Sequence, residues 1–209
     1  MTKKNDDKIN IKIILLGEST VGKTNLINVF CDLGFTEKNL PTLSQNKFYK
    51  IIRLPNNKDV KITLWDTAGQ EKYRCITKNF IQGSNIVIFV YDVTKIETFL
   101  EINYWINCAV EELGNENVVF GLVGNKIDLI EESEVDRNEA EKCANNINAS
   151  FTETSAKKDE LGFKSFLGQL LKKWLINNNM MQEGDLANYK PQNIQLNEVK
   201  KKEKKSKCC

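Results

Sequence analysis

The chain has 209 residues, 28% of them charged, with a formal net charge of +2 and no histidine. Without imidazole, Ser-His and Cys-His nucleophile systems and histidine-ligated metals are excluded. The positive balance lies in residues 179–209, with seven lysines against four acids, so the charge is terminal rather than spread over a folded face as in a nucleic-acid binder.

Taken in chain order, "MTKKNDDK" (1–8) is polar and reads as a flexible N-terminus without a targeting core. Thr2 stands where N-myristoylation needs glycine. "INIKIILLG" (9–17) reads as a buried strand and 22–33 as a helix; "KFYKIIRL" (47–54) and "VKITLWD" (60–66) form a hairpin across "PNNKD". Further strands are expected at 85–93, 117–125 and 149–156, with amphipathic helices at 97–113, 134–147 and 160–177. Six strands alternating with about five helices predict an α/β, three-layer domain over 9–178. Its sheet is mostly parallel, with one antiparallel edge strand from the hairpin. The longest strongly apolar run, "IVIFVY" (86–91), is far short of the ~20 residues of a membrane span. Residues 179–209 are polar, rich in asparagine and lysine, and read as a flexible tail. Cys31, Cys75, Cys108 and Cys143 are scattered without metal-ligand spacing, which points to a reducing, cytosolic setting.

"GESTVGKT" (17–24) fits G-x-x-x-x-G-K-[ST] between a strand and a helix. In that context backbone N–H groups of Gly17, Ser19, Thr20, Val21, Gly22, Lys23, Thr24 and Asn25 surround phosphates at a helix N-terminus. Lys23 reaches the terminal phosphates and the Thr24 hydroxyl ligates Mg²⁺. "DTAGQ" (66–70) follows a strand, so Asp66 faces the loop and holds Mg²⁺ through water. The Gly69 amide then contacts the terminal phosphate and Gln70 orients a water for in-line attack.

"NKID" (125–128) and "TSAK" (154–157) both fall at carboxyl ends of predicted parallel strands, where open α/β sheets bind ligands. Asp128 can accept from the ring N–H and exocyclic amine of guanine. Adenine lacks both donors and would leave the carboxylate unpaired, which selects GTP and GDP over ATP. The Lys126 stem covers the base, Asn125 ties the loops together, and the Ala156 amide donates to the guanine carbonyl, with Ser155 and Lys157 beside it. These guanine motifs disfavour an ATP-using P-loop kinase.

Over residues 9–177 the sequence resembles the Ras-like small GTPases, whose G domain carries these four motifs in this order. The resemblance implies that Phe35 packs on the base and that Thr42 closes over the terminal phosphate as an Mg²⁺ ligand and catalytic participant with Lys23 and Gln70. "KYRCIT" (72–77), "IFVYDVT" (88–94), "VKITLWD" (60–66) and "NFIQGS" (79–84) are similar to the Rab branch. Phe48, Trp65 and Phe80 fall where that branch places an aromatic triad shaping effector binding. The stretch "TLSQNKF" departs from it, with Ser44 in place of glycine and one extra residue before Phe48; Thr20 in the phosphate loop is a second departure.

The resemblance implies a monomeric G domain working as a vesicle-traffic switch. Its partners would be an exchange factor, a GTPase-activating protein, effectors and a prenyl-dependent chaperone. Nothing supplies an arginine in cis, so turnover is expected to be slow alone; Arg74 belongs to the regulator-facing surface. A GTP-binding scaffold with little hydrolysis is the alternative. The ending "KKKEKKSKCC" places Cys208 and Cys209 behind six lysines. Two lipid chains, or one beside a polybasic patch, anchor a protein stably to an anionic leaflet. In Rabs such paired cysteines are geranylgeranylated, at the cytoplasmic face of an internal membrane.

Overall fold

The computed structural model describes residues 9–37, 46–54, 58–67, 79–114 and 117–182. Strands β1 (Ile9–Leu16), β2 (Asn46–Arg53), β3 (Asp59–Asp66), β4 (Ile86–Asp92), β5 (Val119–Asn125) and β6 (Ser150–Thr154) form one sheet in the order β2-β3-β1-β4-β5-β6. Every pairing is parallel except β2 with β3, so β2 is the antiparallel edge strand that the hairpin implies.

Alternation along β1 explains the layers. Ile11, Ile13 and Leu15 point into a core closed by α1 (Lys23–Phe30) and α5 (Glu160–Asn177). Ile14 and Leu16 point into a second core closed by α3 (Ile102–Leu113) and α4 (Arg137–Asn146). β4 is buried throughout, as expected of a central parallel strand with helices on both faces. Because the chain leaves β1 for β2 and β3 on one side and then crosses to β4 on the other, a crevice opens at the carboxyl end of β1. The phosphate loop lies there.

Strand ends differ from the sequence expectation by one or two residues, and four differences are larger in kind. The first helix ends at Phe30 because Asp32 is left-handed (φ 56) and Leu33 N–H turns back to the Asn28 carbonyl. The helix expected over 97–113 is broken at Glu101 into α2 (Ile96–Leu100) and α3. α4 starts at Arg137 because the Asp136 carboxylate caps it, accepting from Asn138 N–H at 2.7 Å. A 3₁₀ segment at Ile127–Glu132, unforeseen from sequence, follows β5. α5 keeps its expected bounds, capped by Asp159 on Gly162 N–H.

The aromatic triad is a correction. Phe48 pairs with Leu64 and is buried on the α1/α5 side, whereas Trp65 packs on the opposite side with Phe80, centroids 5.6 Å apart. Lys47 stands opposite Trp65. The hairpin register, which pairs Phe48 with Leu64 and Lys47 with Trp65, sets Phe48 and Trp65 on opposite faces of the sheet.

Candidate functional site

The loop from β1 to α1 is shaped by two glycines with positive φ. At Gly17 (φ 145) a Cβ would collide with the Val90 carbonyl oxygen, and at Gly22 (φ 100) with the Asn125 side chain. Both are close approaches that only glycine permits. Thr20 adopts φ 66 without that freedom, an unfavourable conformation for a β-branched residue. Its side chain is exposed.

Inside the loop, buried Lys23 donates from Nζ to the Gly17 and Glu18 carbonyl oxygens, each at 2.7 Å. Burial lowers its pKa to about 8, opposed by Asp66 and Glu18. The Thr24 hydroxyl, from the second residue of α1, donates to Asp66 Oδ2 at 2.9 Å across the crevice. Asp66 is fully buried at the end of β3, and its Oδ1 has no hydrogen-bond partner among the described residues. Burial pushes its carboxyl up to about 6, against the pull of Thr24 and Lys23. A hydroxyl beside a carboxylate with an unsatisfied oxygen is a hard-oxygen donor set that fits Mg²⁺, which keeps several waters and takes few protein ligands.

The loop after β1 is joined to the loop after β6 by one residue. Asn125, 2% exposed at the end of β5, donates from Nδ2 to the Val21 carbonyl at 2.8 Å and accepts from Ala156 N–H at 3.1 Å. Ser155 Oγ donates to Asp128 Oδ1 at 2.6 Å and accepts from the N–H groups of Lys157 and Lys158. Asp128 is thereby oriented by the second loop. On the open side Phe35 is a third exposed, and the Asn25 amide makes a two-bond bridge to the Thr36 backbone. Lys157 Nζ reaches Glu37 at 3.0 Å and lies 5.9 Å from the Phe35 ring. These contacts thus bring Gly17, Val21, Gly22, Lys23, Thr24, Asp66, Asn125, Asp128, Ser155 and Ala156 together, with Ser19 and Thr20 on the loop itself. Thr42, Gly69, Gln70, Arg74, Cys208 and Cys209 lie outside the described residues.

Two site residues escaped sequence reasoning. Asp92, fully buried at the end of β4, holds Lys126 Nζ at 2.5 Å through Oδ2 while Oδ1 accepts from Thr94 N–H and Oγ1. It fixes the lysine stem, with Lys126 itself at φ 74. The signal was available: an acid closing a buried strand, as at Asp66. Glu18 accepts from Trp105 Nε1 at 3.1 Å and ties the phosphate loop to α3; no sequence signal links positions 87 apart.

Comparison with known proteins agrees with this geometry. A model of the Ras family matches residues 12–175. The Ras-related protein Rab-1D of Dictyostelium discoideum is 39% identical over 146 residues, 70% of this chain and 71% of the relative. Mouse Ras-related protein Rab-21 is 38% identical over 151 residues, covering 72% and 67% of the two chains. Ras-related protein RabQ of Dictyostelium discoideum is 33% identical over 208 residues, spanning 97% of this chain and 99% of its own. A phosphate loop and a base loop clasped by one asparagine, on a six-stranded sheet matched along most of its length, place this chain in the Ras family of small GTPases, within its Rab branch.

Proposed function

We propose that this protein is a GTP-driven switch of vesicle traffic that binds GDP and GTP with Mg²⁺ and hydrolyses GTP slowly. The observation that carries the reading is the Asn125 clasp, which holds a phosphate-binding loop and a base-binding loop in one frame. Backbone N–H groups of 17–24 bind the phosphates, and Lys23 places its ammonium beside them. Asp128, held by Ser155, accepts from guanine, Ala156 N–H donates to its carbonyl, and the Lys126 stem and Phe35 flank the ring. Thr24, Thr42 and, through water, Asp66 would hold Mg²⁺. When bound, the ion neutralises charge on the β- and γ-phosphate oxygens.

Gln70 orients the attacking water by hydrogen bonding, and Lys23 stabilises charge on the transferred group. Loss of the γ-phosphate releases segments 36–48 and 66–82, which changes the surface read by effectors. With no arginine in cis, an activating protein raises turnover by ~10³–10⁵-fold. An exchange factor reloads GTP. Prenylated Cys208 and Cys209 with the lysine run hold the switch on the cytosolic face of a membrane, and a prenyl-binding chaperone retrieves it. Among the described residues no helix is long and apolar enough to cross a membrane, which is compatible with such an anchor.

Single-turnover GTP hydrolysis tests the enzymatic half. Gln70→Leu should abolish hydrolysis while GTP binding persists; equal rates above background would remove Gln70 from the mechanism. The rival reading, a GTP-binding scaffold, draws on the left-handed Thr20 in the phosphate loop. Negligible hydrolysis by the unaltered chain, even with an activating protein, would favour it.

A further inference from the structure

The loop between β1 and α1 contains a carboxylate, an unfavourable neighbour for phosphates. Three other acids of the site have tasks in the reading above: Asp66 faces the crevice with Thr24, Asp92 holds Lys126, and Asp128 is oriented by Ser155. Glu18 has none of these. Its backbone carbonyl accepts from Lys23 Nζ at 2.7 Å, so the residue sits within the loop, and its charge acts on the buried Lys23 ammonium. Phosphates bound by the same loop would feel that charge as repulsion.

Glu18 is half-buried, and its Oε1 accepts from Trp105 Nε1, on α3, at 3.1 Å. The donor is fixed. Trp105 is 2% exposed within the core beneath α3, and Tyr104 meets its ring edge-on at 5.2 Å. Interiors are close-packed, so this N–H cannot swing aside. Packing alone does not demand such a pair, because Trp174 Nε1 is buried with no hydrogen-bond partner among the described residues. A hydrogen bond to an ionised acceptor is also of the stronger kind.

We infer that Trp105 is a positioning residue for nucleotide retention: its indole N–H pins the Glu18 carboxylate against α3 and keeps that charge out of the space the phosphates occupy. The proposal deepens the nucleotide reading, on which it rests, by saying how a phosphate loop accommodates an acid. Trp105 acts through Glu18 and by electrostatics rather than as a tether. Without the N–H, the glutamate side chain regains its rotamers, and some of them bring the carboxylate towards the phosphates. A side chain of the same length without charge would do no such harm.

The test loads the full chain with fluorescent GDP and Mg²⁺ and follows release into excess unlabelled GDP. Trp105→Phe keeps an aromatic ring and removes the N–H, and should speed release by about three- to tenfold. Glu18→Gln keeps the length and an acceptor for the indole but removes the charge. Adding Trp105→Phe to Glu18→Gln should therefore change release by less than about twofold. Urea unfolding should show Trp105→Phe destabilising both backgrounds, which separates retention from stability. Acceleration of similar size in both backgrounds would make the contact a mechanical tether and overturn the proposal, as would release unaffected by Trp105→Phe. If Trp105→Phe does not fold, Glu18→Ala compared with Glu18→Gln asks the same question, since neither carries charge and only the second can accept from the indole. Equal release from the two supports the proposal, and faster release from Glu18→Ala overturns it. Failure of the unaltered chain to retain GDP at all would instead strike the nucleotide reading, and this proposal with it.

Discussion

Replacing Asn125 by alanine probes the clasp on which the site depends. The substitution removes two hydrogen bonds in a region where Val21 is fully buried and Ala156 is nearly so. Each bond contributes about 1 kcal/mol net, and each buried group left unpaired adds desolvation loss, so about 2–4 kcal/mol of stability should disappear. With a urea dependence of about 2 kcal/mol per molar, the unfolding midpoint should fall by about 1–2 M. The two loops would also lose their common frame, so fluorescent GDP should dissociate faster by about ten- to a hundredfold, equivalent to ~1.4–2.8 kcal/mol. Asn125→Asp keeps the acceptor for Ala156 N–H but sets a carboxylate against the Val21 carbonyl, and should be at least as damaging. A stability loss under about 0.5 kcal/mol for Asn125→Ala, with unchanged GDP release, would refute the clasp.

Three other predictions follow from single observations. Thr20→Gly should stabilise the protein by about 0.5–1 kcal/mol in urea unfolding, because relief of a left-handed conformation worth ~1–2 kcal/mol exceeds the added flexibility of the unfolded chain. Asp32 is raised by burial, but hydrogen bonds from Lys164 and Lys50 outweigh this and hold its carboxyl below the usual range. Its stabilisation is therefore present above about pH 4 and lost as pH falls through the lowered value. Asp32→Asn should cost about 1–2 kcal/mol at neutral pH, less than a fully buried pair because Asp32 is about one-third exposed, and the difference should shrink in acid melts. Cys31 is buried and its thiol is pushed up to about 11, chiefly by burial. Peptide mapping after alkylation at pH 8 should find it unmodified until the protein is unfolded.

As far as the described residues go, the placement of the four motif stretches at strand ends was legible because each is a contiguous stretch whose residue types answer one local demand. Gly17 and Gly22 permit close backbone approach, Thr24 and Asp66 present oxygens, and Asp128 presents an acceptor. The strand pattern was legible for a similar reason: β1 is mostly apolar, broken only by Asn10 and Lys12, and β4 is apolar up to its closing Asp92. What sequence reading missed depends on distance or register. The contacts Glu18–Trp105 and Asp92–Lys126 join separate elements. The break at Glu101 interrupts a helical pattern that continues on both sides. Phe48 carries the most instruction: its chemistry suits an exposed triad, but the hairpin register turned it into the α1/α5 core and set Lys47 opposite Trp65.

Competition for the nucleotide site tests the central claim most directly. The purified full chain, stripped of nucleotide and supplied with Mg²⁺ and equal GTP and ATP, should retain GTP almost exclusively. Asp128→Ala should lose that preference, because the carboxylate oriented by Ser155 is the group that guanine satisfies and adenine does not. Retention of ATP, or equal retention of both nucleotides by the unaltered chain, would contradict the account.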